Sequence, residues 1–203
     1  MSLENAEKFD RDTMIELFKE AGRILKERGI IAEIVIYGGS SIMLEETLFD
    51  SYKRLTEDID YVPIVESLDK VETLDRLFEQ ASTNLNMEKV YRNDVKDLIS
   101  SHPEHEFFNE FPVGEGNLRV YKCSAEYILS MKVKAMRSSF DSNDPEDIWH
   151  LMDVVDLETP EQVLEKVNKF FPFDEISGRN KKILTDIIEL KNSGGEYTPM
   201  VGW

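Results

Sequence analysis

The chain has 203 residues, 41% of them hydrophobic, enough for one well-buried core or one domain with a helical appendage. Its net charge of −17 excludes nonspecific nucleic-acid binding through a broad basic face, so a nucleic-acid substrate would need a local basic patch or a partner. No apolar run reaches the roughly 18 residues of a membrane span, the polar start is unlike a signal peptide, and a single cysteine, Cys123, fits a reducing cytoplasm.

The first third of the chain alternates helical and strand patterns. Residues 10–28 place apolar side chains at helical spacing, and Gly29 is the expected stop. The β-branched run "IIAEIVIYG" predicts a strand buried on both faces, and residues 40–49 predict a short helix. The segment "EDIDYVPI" alternates apolar and polar positions and predicts a strand that ends at Pro63.

The rest of the chain becomes helical. Residues 68–83 predict an amphipathic helix, residues 87–92 a short strand, residues 93–116 irregular structure with a short helix, and "NLRVYKC" a further strand. Four helical patterns follow at residues 124–138, 144–155, 159–170 and 176–191. We therefore expect an α/β fold with an α/β core over residues 1–122 and a helical part over residues 123–203, together one structural unit.

A small-residue turn follows the first predicted strand. Gly38 and Gly39 allow positive φ and a close approach of backbone to a phosphate. The first N–H groups of the next helix, with the hydroxyls of Ser40 and Ser41, would then face an anion. Taken alone, a Gly-Gly-Ser turn is also common as a purely structural turn.

Two carboxylates, Asp58 and Asp60, lie on alternate positions of the strand that follows. Residues i and i+2 of a strand project from the same face, so the carboxylates repel each other unless solvated or bridged by a cation. Hard oxygen ligands at this separation suit Mg²⁺ or Mn²⁺ carrying a triphosphate. The alternative is an edge strand with an ordinary acidic solvent face. The glycine turn favours the metal, because the two features supply phosphate contacts and metal ligands for one site.

The motifs "GGSSIML" and "RLTEDIDYV" resemble those of the minimal nucleotidyltransferases of the polymerase-β-like superfamily, in particular the AbiEii-type toxins and related small proteins. The segment "EYILSMKVKAMRSSFDSNDPEDIWHLM" is similar to the helical motif of that group, a Lys, an Ala-x-Arg and then Asp-x-x-Asp. The resemblance implies a nucleotidyltransferase-type sheet with a helical C-terminal part. It implies roles for these residues: Gly38, Gly39 and Ser40 at the phosphates, Asp58 and Asp60 on the metal, Arg54, Thr56 and Arg137 near the nucleotide, and Lys132 on phosphate or acceptor.

By the same resemblance, the protein would transfer a nucleoside monophosphate from an NTP to a hydroxyl of tRNA or of a protein. The setting would be a toxin–antitoxin or phage-defence system, with a cognate antitoxin as partner. In such phosphoryl chemistry the protein mainly positions groups and neutralises charge, so a metal pair and a lysine are sufficient parts.

The chain departs from the superfamily pattern at the third carboxylate, which often lies on a later strand and serves as general base. "NLRVYKC" carries none, and Glu115, Glu126 or a helical Asp are the substitutes that the sequence offers. A catalytically silent relative that binds a nucleotide or a partner is therefore the alternative. The roles of Asp144 and Asp147 also stay open, because Asp144 could simply cap the helix that begins near Pro145.

Overall fold

The computed structural model describes residues 8–48, 51–56, 58–64, 68–87, 95, 98–137 and 142–197. Residue contacts divide the chain into two compact units: a first unit of residues 1–97 and 105–123, and a second unit of residues 98–104 and 124–203. Whether residues 1–122 and 123–203 act as one structural unit stays a prediction.

The first unit holds a four-stranded mixed sheet. In chain order its elements are helix α1 (Arg11–Glu27), strand β1 (Ala32–Ile36), helix α2 (Gly38–Met43), a short 3-10 helix (Glu46–Leu48), strand β2 (Tyr61–Pro63), helix α3 (Leu68–Asn84), and strands β3 (His105–Phe111) and β4 (Leu118–Cys123). The strand order is β2-β1-β4-β3. Strands β1 and β4 are parallel, and the two outer pairs are antiparallel. The α/β class predicted from the sequence is confirmed.

Helices α1 and α3 pack on one face of this sheet. Residues in register on neighbouring strands share a face, and Ile34 pairs with Val120 while Ile36 pairs with Tyr61. These side chains are buried together with the apolar stripe of α1, which includes Leu17 and Phe18. Asp10 caps α1 by accepting a hydrogen bond from the Thr13 backbone N–H at 2.9 Å.

Three of the sequence predictions need correction. Residues 93–116 were expected to be irregular with a short helix, but residues 105–111 form strand β3. Strand β2 begins only at Tyr61, so both aspartates precede it, although it ends at Pro63 as predicted. The short helix begins earlier than residue 40, at Gly38, and ends at Met43. The predicted strand at residues 87–92 lies, apart from Met87, outside the described residues.

The second unit is helical, as predicted. Its helices are α4 (Ala125–Ala135), α5 (Asp144–Val155), α6 (Pro160–Phe170) and α7 (Gly178–Asn192). The fully buried Tyr127 ring stacks on Phe171 at 5.9 Å and meets Phe170 edge-on at 5.1 Å. The Asn180 amide donates to the carbonyls of Val133 and Lys134, both at 3.1 Å, which satisfies the C-terminal end of α4 from α7.

Among the residues that the structure describes, no helix is long and apolar enough to cross a membrane. Cys123, the single cysteine, is buried at the end of β4.

Candidate nucleotide site

The turn after β1 packs directly against Asp60. Gly38 has a φ of +57°, a conformation that L side chains rarely adopt. A β-carbon at position 38 would overlap Oδ2 of Asp60, and it would lie 3.2 Å from the Cγ atom of that residue. The backbone N–H of Tyr37 also donates to the Asp60 carbonyl at 2.7 Å. The turn and one of the two predicted carboxylates are therefore adjacent.

The serine hydroxyls of the turn serve the fold. Ser40 is fully buried, and its hydroxyl donates to the Asp58 carbonyl at 2.9 Å. Ser41 is also buried, and its hydroxyl accepts a hydrogen bond from the Cys123 backbone N–H at 3.0 Å. The hydroxyls thus fix α2 to the segment before β2 and to β4, which differs from the expectation that they face an anion.

Thr56 orients the carboxylate of Asp58, the other predicted metal ligand. Its hydroxyl lies 3.1 Å from Oδ1 of Asp58 and 3.0 Å from the carbonyl oxygen of the same residue. Thr56 itself is held by Phe9, because the backbone N–H of each residue donates to the carbonyl of the other, at 2.8 and 3.1 Å. Phe9 therefore holds Thr56, and Thr56 in turn holds the Asp58 carboxylate.

Arg54 brings a positive charge to the turn. A β-carbon at Gly39 would lie 2.6 Å from Nη2 of Arg54, so only glycine leaves this guanidinium its place. Nη1 of Arg54 also donates to the carbonyl of Leu55. An anion at the turn would therefore meet a guanidinium in addition to backbone N–H groups.

The two carboxylates lie on the side of the segment away from the core. Ile59 and Tyr61 are 1% and 2% exposed, whereas Asp58 and Asp60 are half-buried. Two carboxylates on one face suit a hard divalent cation, and in the described part of the chain no three acidic, histidine or cysteine side chains converge as a larger metal cluster.

An ion pair that the sequence analysis missed connects the chain just after α2 to strand β4. Lys122 on β4 lies 2.7 Å from Glu45 and 3.1 Å from Glu106. Burial disfavours the charge on Lys122, but the two carboxylates outweigh it and raise its pKa. Burial likewise opposes ionisation of Glu45, and Lys122 outweighs it, so the pKa of Glu45 is lowered. Nothing in the sequence pattern signals this pair, because the two residues are far apart along the chain.

Of the candidates for a third carboxylate, Glu115 lies away from the glycine turn. Glu115 precedes Leu118, which pairs with Ala32, the first residue of β1, whereas the glycine turn follows the last residue of β1. Glu115 therefore lies at the opposite end of the sheet from the turn, where it pairs with Lys26 at 2.7 Å. Glu126 belongs to the second unit and pairs with Lys166 at 2.6 Å.

Lys132 lies in a compact charge cluster of the second unit. Its ammonium is 2.8 Å from both Asp144 and Asp147, and the side chains are 11%, 5% and 0% exposed, respectively. Burial disfavours the charge on Lys132, but the two aspartates outweigh it and raise its pKa. The predicted phosphate role of Lys132 stays a prediction, and its observed partners are carboxylates.

The interpretation of Asp144 as a simple helix cap is wrong. Asn143 is the N-cap residue, and Asp144 is the first residue of α5. Its Oδ2 accepts from the backbone N–H of Arg137 at 2.9 Å and from its Nε at 3.3 Å. Asp144 therefore joins the end of α4 to α5, and Arg137 belongs to this cluster. Burial opposes ionisation of Asp144, but Lys132 outweighs it and lowers the pKa of the carboxyl.

Comparison with protein-family models matches residues 12–183 to a family described as nucleotidyltransferase of unknown function (DUF6036). Searches of curated proteins and of solved structures each returned no significant match.

Proposed function

The chain belongs to this family of nucleotidyltransferases, and from that premise we propose that it transfers a nucleoside monophosphate from an NTP to a hydroxyl of a macromolecule. One observation carries the proposal: Gly38 adjoins Asp60 and Gly39 adjoins Arg54, so a carboxylate and a guanidinium lie directly beside the turn. A phosphate turn without adjacent carboxylates would support only anion binding.

The residues have distinct proposed roles. The backbone of Gly38 and Gly39 and the guanidinium of Arg54 hold the β- and γ-phosphates. Asp58 and Asp60 hold Mg²⁺ or Mn²⁺, which when bound would neutralise charge on the phosphates and on the departing pyrophosphate. Ser40 and Thr56 position the segment that carries Asp58 through the hydrogen bonds described above.

The reaction is a substitution at the α-phosphorus. The acceptor hydroxyl oxygen forms a bond to this phosphorus, and the bond to the bridging oxygen of the β-phosphate breaks. Pyrophosphate leaves with the bonding electrons, and the hydroxyl proton passes to water. Holding the triphosphate in line with the acceptor is the main contribution of such a site.

Transfer of α-labelled NTP tests the proposal. Each NTP would be incubated with Mg²⁺, the protein, and either total tRNA or a protein extract. We expect α-label but no γ-label on one acceptor, and no transfer by the Asp58→Asn, Asp60→Asn double variant. A matched control is Glu161→Gln with Glu165→Gln, which removes two exposed charges from α6. A double variant that still binds Mg-NTP like the wild type would contradict the proposal.

A second candidate is a catalytically silent nucleotide- or partner-binding protein, such as a partner of a cognate antitoxin. The observation that favours it is the lack, within the described residues, of a third carboxylate beside Asp58 and Asp60. Wild-type protein that binds Mg-NTP but labels neither acceptor would support this candidate.

A cytoplasmic toxin–antitoxin or phage-defence setting is part of the proposal for the active enzyme.

A further inference from the structure

A cavity of about 440 Å³ lies beside the candidate site, entirely within the first unit. It is bounded by the start of α1, the end of α2 and the segment that leads to Thr56. Its volume falls in the range of small-molecule sites in proteins, roughly 300–1,000 Å³. Neither the family match nor the proposed reaction assigns a ligand to it.

One part of the cavity is apolar. Ile42, Met43 and Leu48 contribute buried side chains, 2%, 5% and 4% exposed, respectively. The half-buried ring of Tyr52 and the 45% exposed side chain of Leu55 also line the cavity. An aliphatic floor with one aromatic ring suits a flat organic body, such as a nucleobase, more than an isolated ion.

The charged part of the cavity favours an anion, although the whole chain is strongly acidic. Arg11, Lys53 and Arg54 are the cations of the lining, and Asp10, Asp12 and Glu45 are its anions. Two of these anions are engaged in the fold. The Asp10 carboxylate accepts two hydrogen bonds from Thr13, at 2.9 and 2.7 Å, and Glu45 pairs with Lys122 at 2.7 Å. Lys122 offsets the charge of Glu45, which leaves three cations of the lining against the two carboxylates of Asp10 and Asp12.

Arg54 connects this cavity with the turn. The same guanidinium that lines the cavity lies against Gly39. A phosphate in the cavity and a triphosphate at the turn would therefore share one positive charge. Occupation of one site would lower the affinity of the other, and the effect is reciprocal by linkage.

We propose that the cavity binds a nucleoside monophosphate, with the base against Tyr52 and the apolar floor and the phosphate toward Lys53 and Arg54. Guanidinium and ammonium groups are the usual protein partners of a phosphate, and the apolar floor accommodates the base. This site is separate from Asp58 and Asp60 and needs no metal. Its existence does not depend on the transfer reaction.

Calorimetric titration tests the proposal with AMP, GMP, CMP and UMP, each in EDTA so that metal-dependent binding is absent. We expect at least one of them to bind about tenfold more tightly than inorganic phosphate or the matching nucleoside, since both ends contribute. Binding should persist in the Asp58→Asn, Asp60→Asn double variant. It should weaken by about tenfold in Lys53→Ala, the loss of one hydrogen bond to a charged group, and in Leu55→Trp, which fills the mouth of the cavity.

Lys19→Ala is the matched control, because Lys19 is an exposed lysine of α1, 56% accessible and outside the cavity. Inorganic phosphate that binds as tightly as every monophosphate would overturn the assignment of a nucleotide. So would monophosphates that all fail to bind, or that bind Lys53→Ala and Leu55→Trp as tightly as wild type. Binding that disappears in the double aspartate variant would place the ligand at the carboxylates instead. A failed label transfer alone would contradict only the proposed function.

Discussion

Gly38 and Asp60 occupy adjoining space: the glycine has a φ of +57°, and any β-carbon at position 38 would overlap the Asp60 carboxylate. Two independent reasons therefore require glycine here, one in the backbone and one in the packing. The contact also brings together a turn and a carboxylate that are more than twenty positions apart in the chain.

Gly38→Ala should reduce both stability and nucleotide binding. A left-handed conformation costs an L residue roughly 1–2 kcal/mol, and the new methyl group must also displace Asp60. Gly29→Ala is a matched control, since Gly29 has a φ of +63° but has no atom within 4 Å of its β-position. Both variants should unfold at lower urea concentration, but only Gly38→Ala should lose Mg-NTP affinity, by more than about tenfold. Equal affinities would contradict the link.

Gly39→Ala should act through Arg54. The added methyl group would lie 2.6 Å from Nη2, so the long arginine side chain must move while the backbone need not. Mg-NTP affinity should fall, whereas the free energy of unfolding should change little. In the Arg54→Ala background the same substitution should have almost no further effect, because neighbouring changes of this kind are not additive. Additive losses in calorimetric titrations would show that Gly39 contributes independently of Arg54.

The Asp58→Asn, Asp60→Asn double variant should be as stable as the wild type without metal, or slightly more stable. The change removes two like charges on one face, and an Asn oxygen can still accept the 3.1 Å hydrogen bond from Thr56. Urea unfolding in EDTA measures this. Mg-NTP should raise the unfolding midpoint of the wild type only, because a ligand stabilises the state that binds it. A large loss of apo stability would indicate a structural role for the carboxylates.

Much of this site could be predicted from local patterns. The burial of Ile59 and Tyr61 against half-buried Asp58 and Asp60 follows directly from alternation along the chain. The glycine turn follows from a buried strand that runs into a helix. These features depend on neighbours a few positions apart.

Features that depend on distant partners were missed or misread. Residues 93–116 were predicted to be irregular because their periodicity is weak, whereas pairing with β4 orders residues 105–111 as strand β3. The Glu45–Lys122 pair joins residues 77 positions apart. The enclosure of the Lys132 ammonium by two aspartates of α5 was also missed, since nothing local shows it, while the phosphate role that the family resemblance implies stays a prediction.

Lys132→Met should destabilise the protein strongly. Removing the ammonium leaves Asp144 and Asp147 buried beside each other, and breaking a buried pair costs about 3–5 kcal/mol. Lys26→Met is the control, because its pair with Glu115 is exposed and contributes less than about 1 kcal/mol. Chemical denaturation would measure both losses, and equal small losses would show that the cluster does not hold the helices together.

The triple variant Lys132→Met, Asp144→Asn, Asp147→Asn separates structure from phosphate binding. Without the two charges, much of the stability should return. A triple variant that folds and binds Mg-NTP with wild-type affinity would exclude Lys132 from the phosphates. A folded triple variant with weaker, less salt-dependent binding would support the role that the family resemblance implies.

The contribution of Asp144 to stability should disappear in acid. Burial opposes its ionisation, Lys132 outweighs that effect, and the folded-state pKa is lowered. The stabilisation is therefore complete above the unfolded-state pKa of about 3.9 and is lost as the pH falls through the lower folded-state value. The pH dependence of the Lys132 contribution has the opposite sign: its pKa is raised, so its contribution is complete below about 10.4 and is lost only as the pH rises through the higher folded-state value.

Urea unfolding of wild type and Asp144→Asn at pH 7 and near pH 3 would measure the contribution of Asp144, with Glu115→Gln as an exposed control. We expect a gap of several kcal/mol at pH 7, typical of a broken buried pair, that narrows in acid. A gap of constant size across this range would mean that Asp144 stabilises the fold by packing and not by its charge.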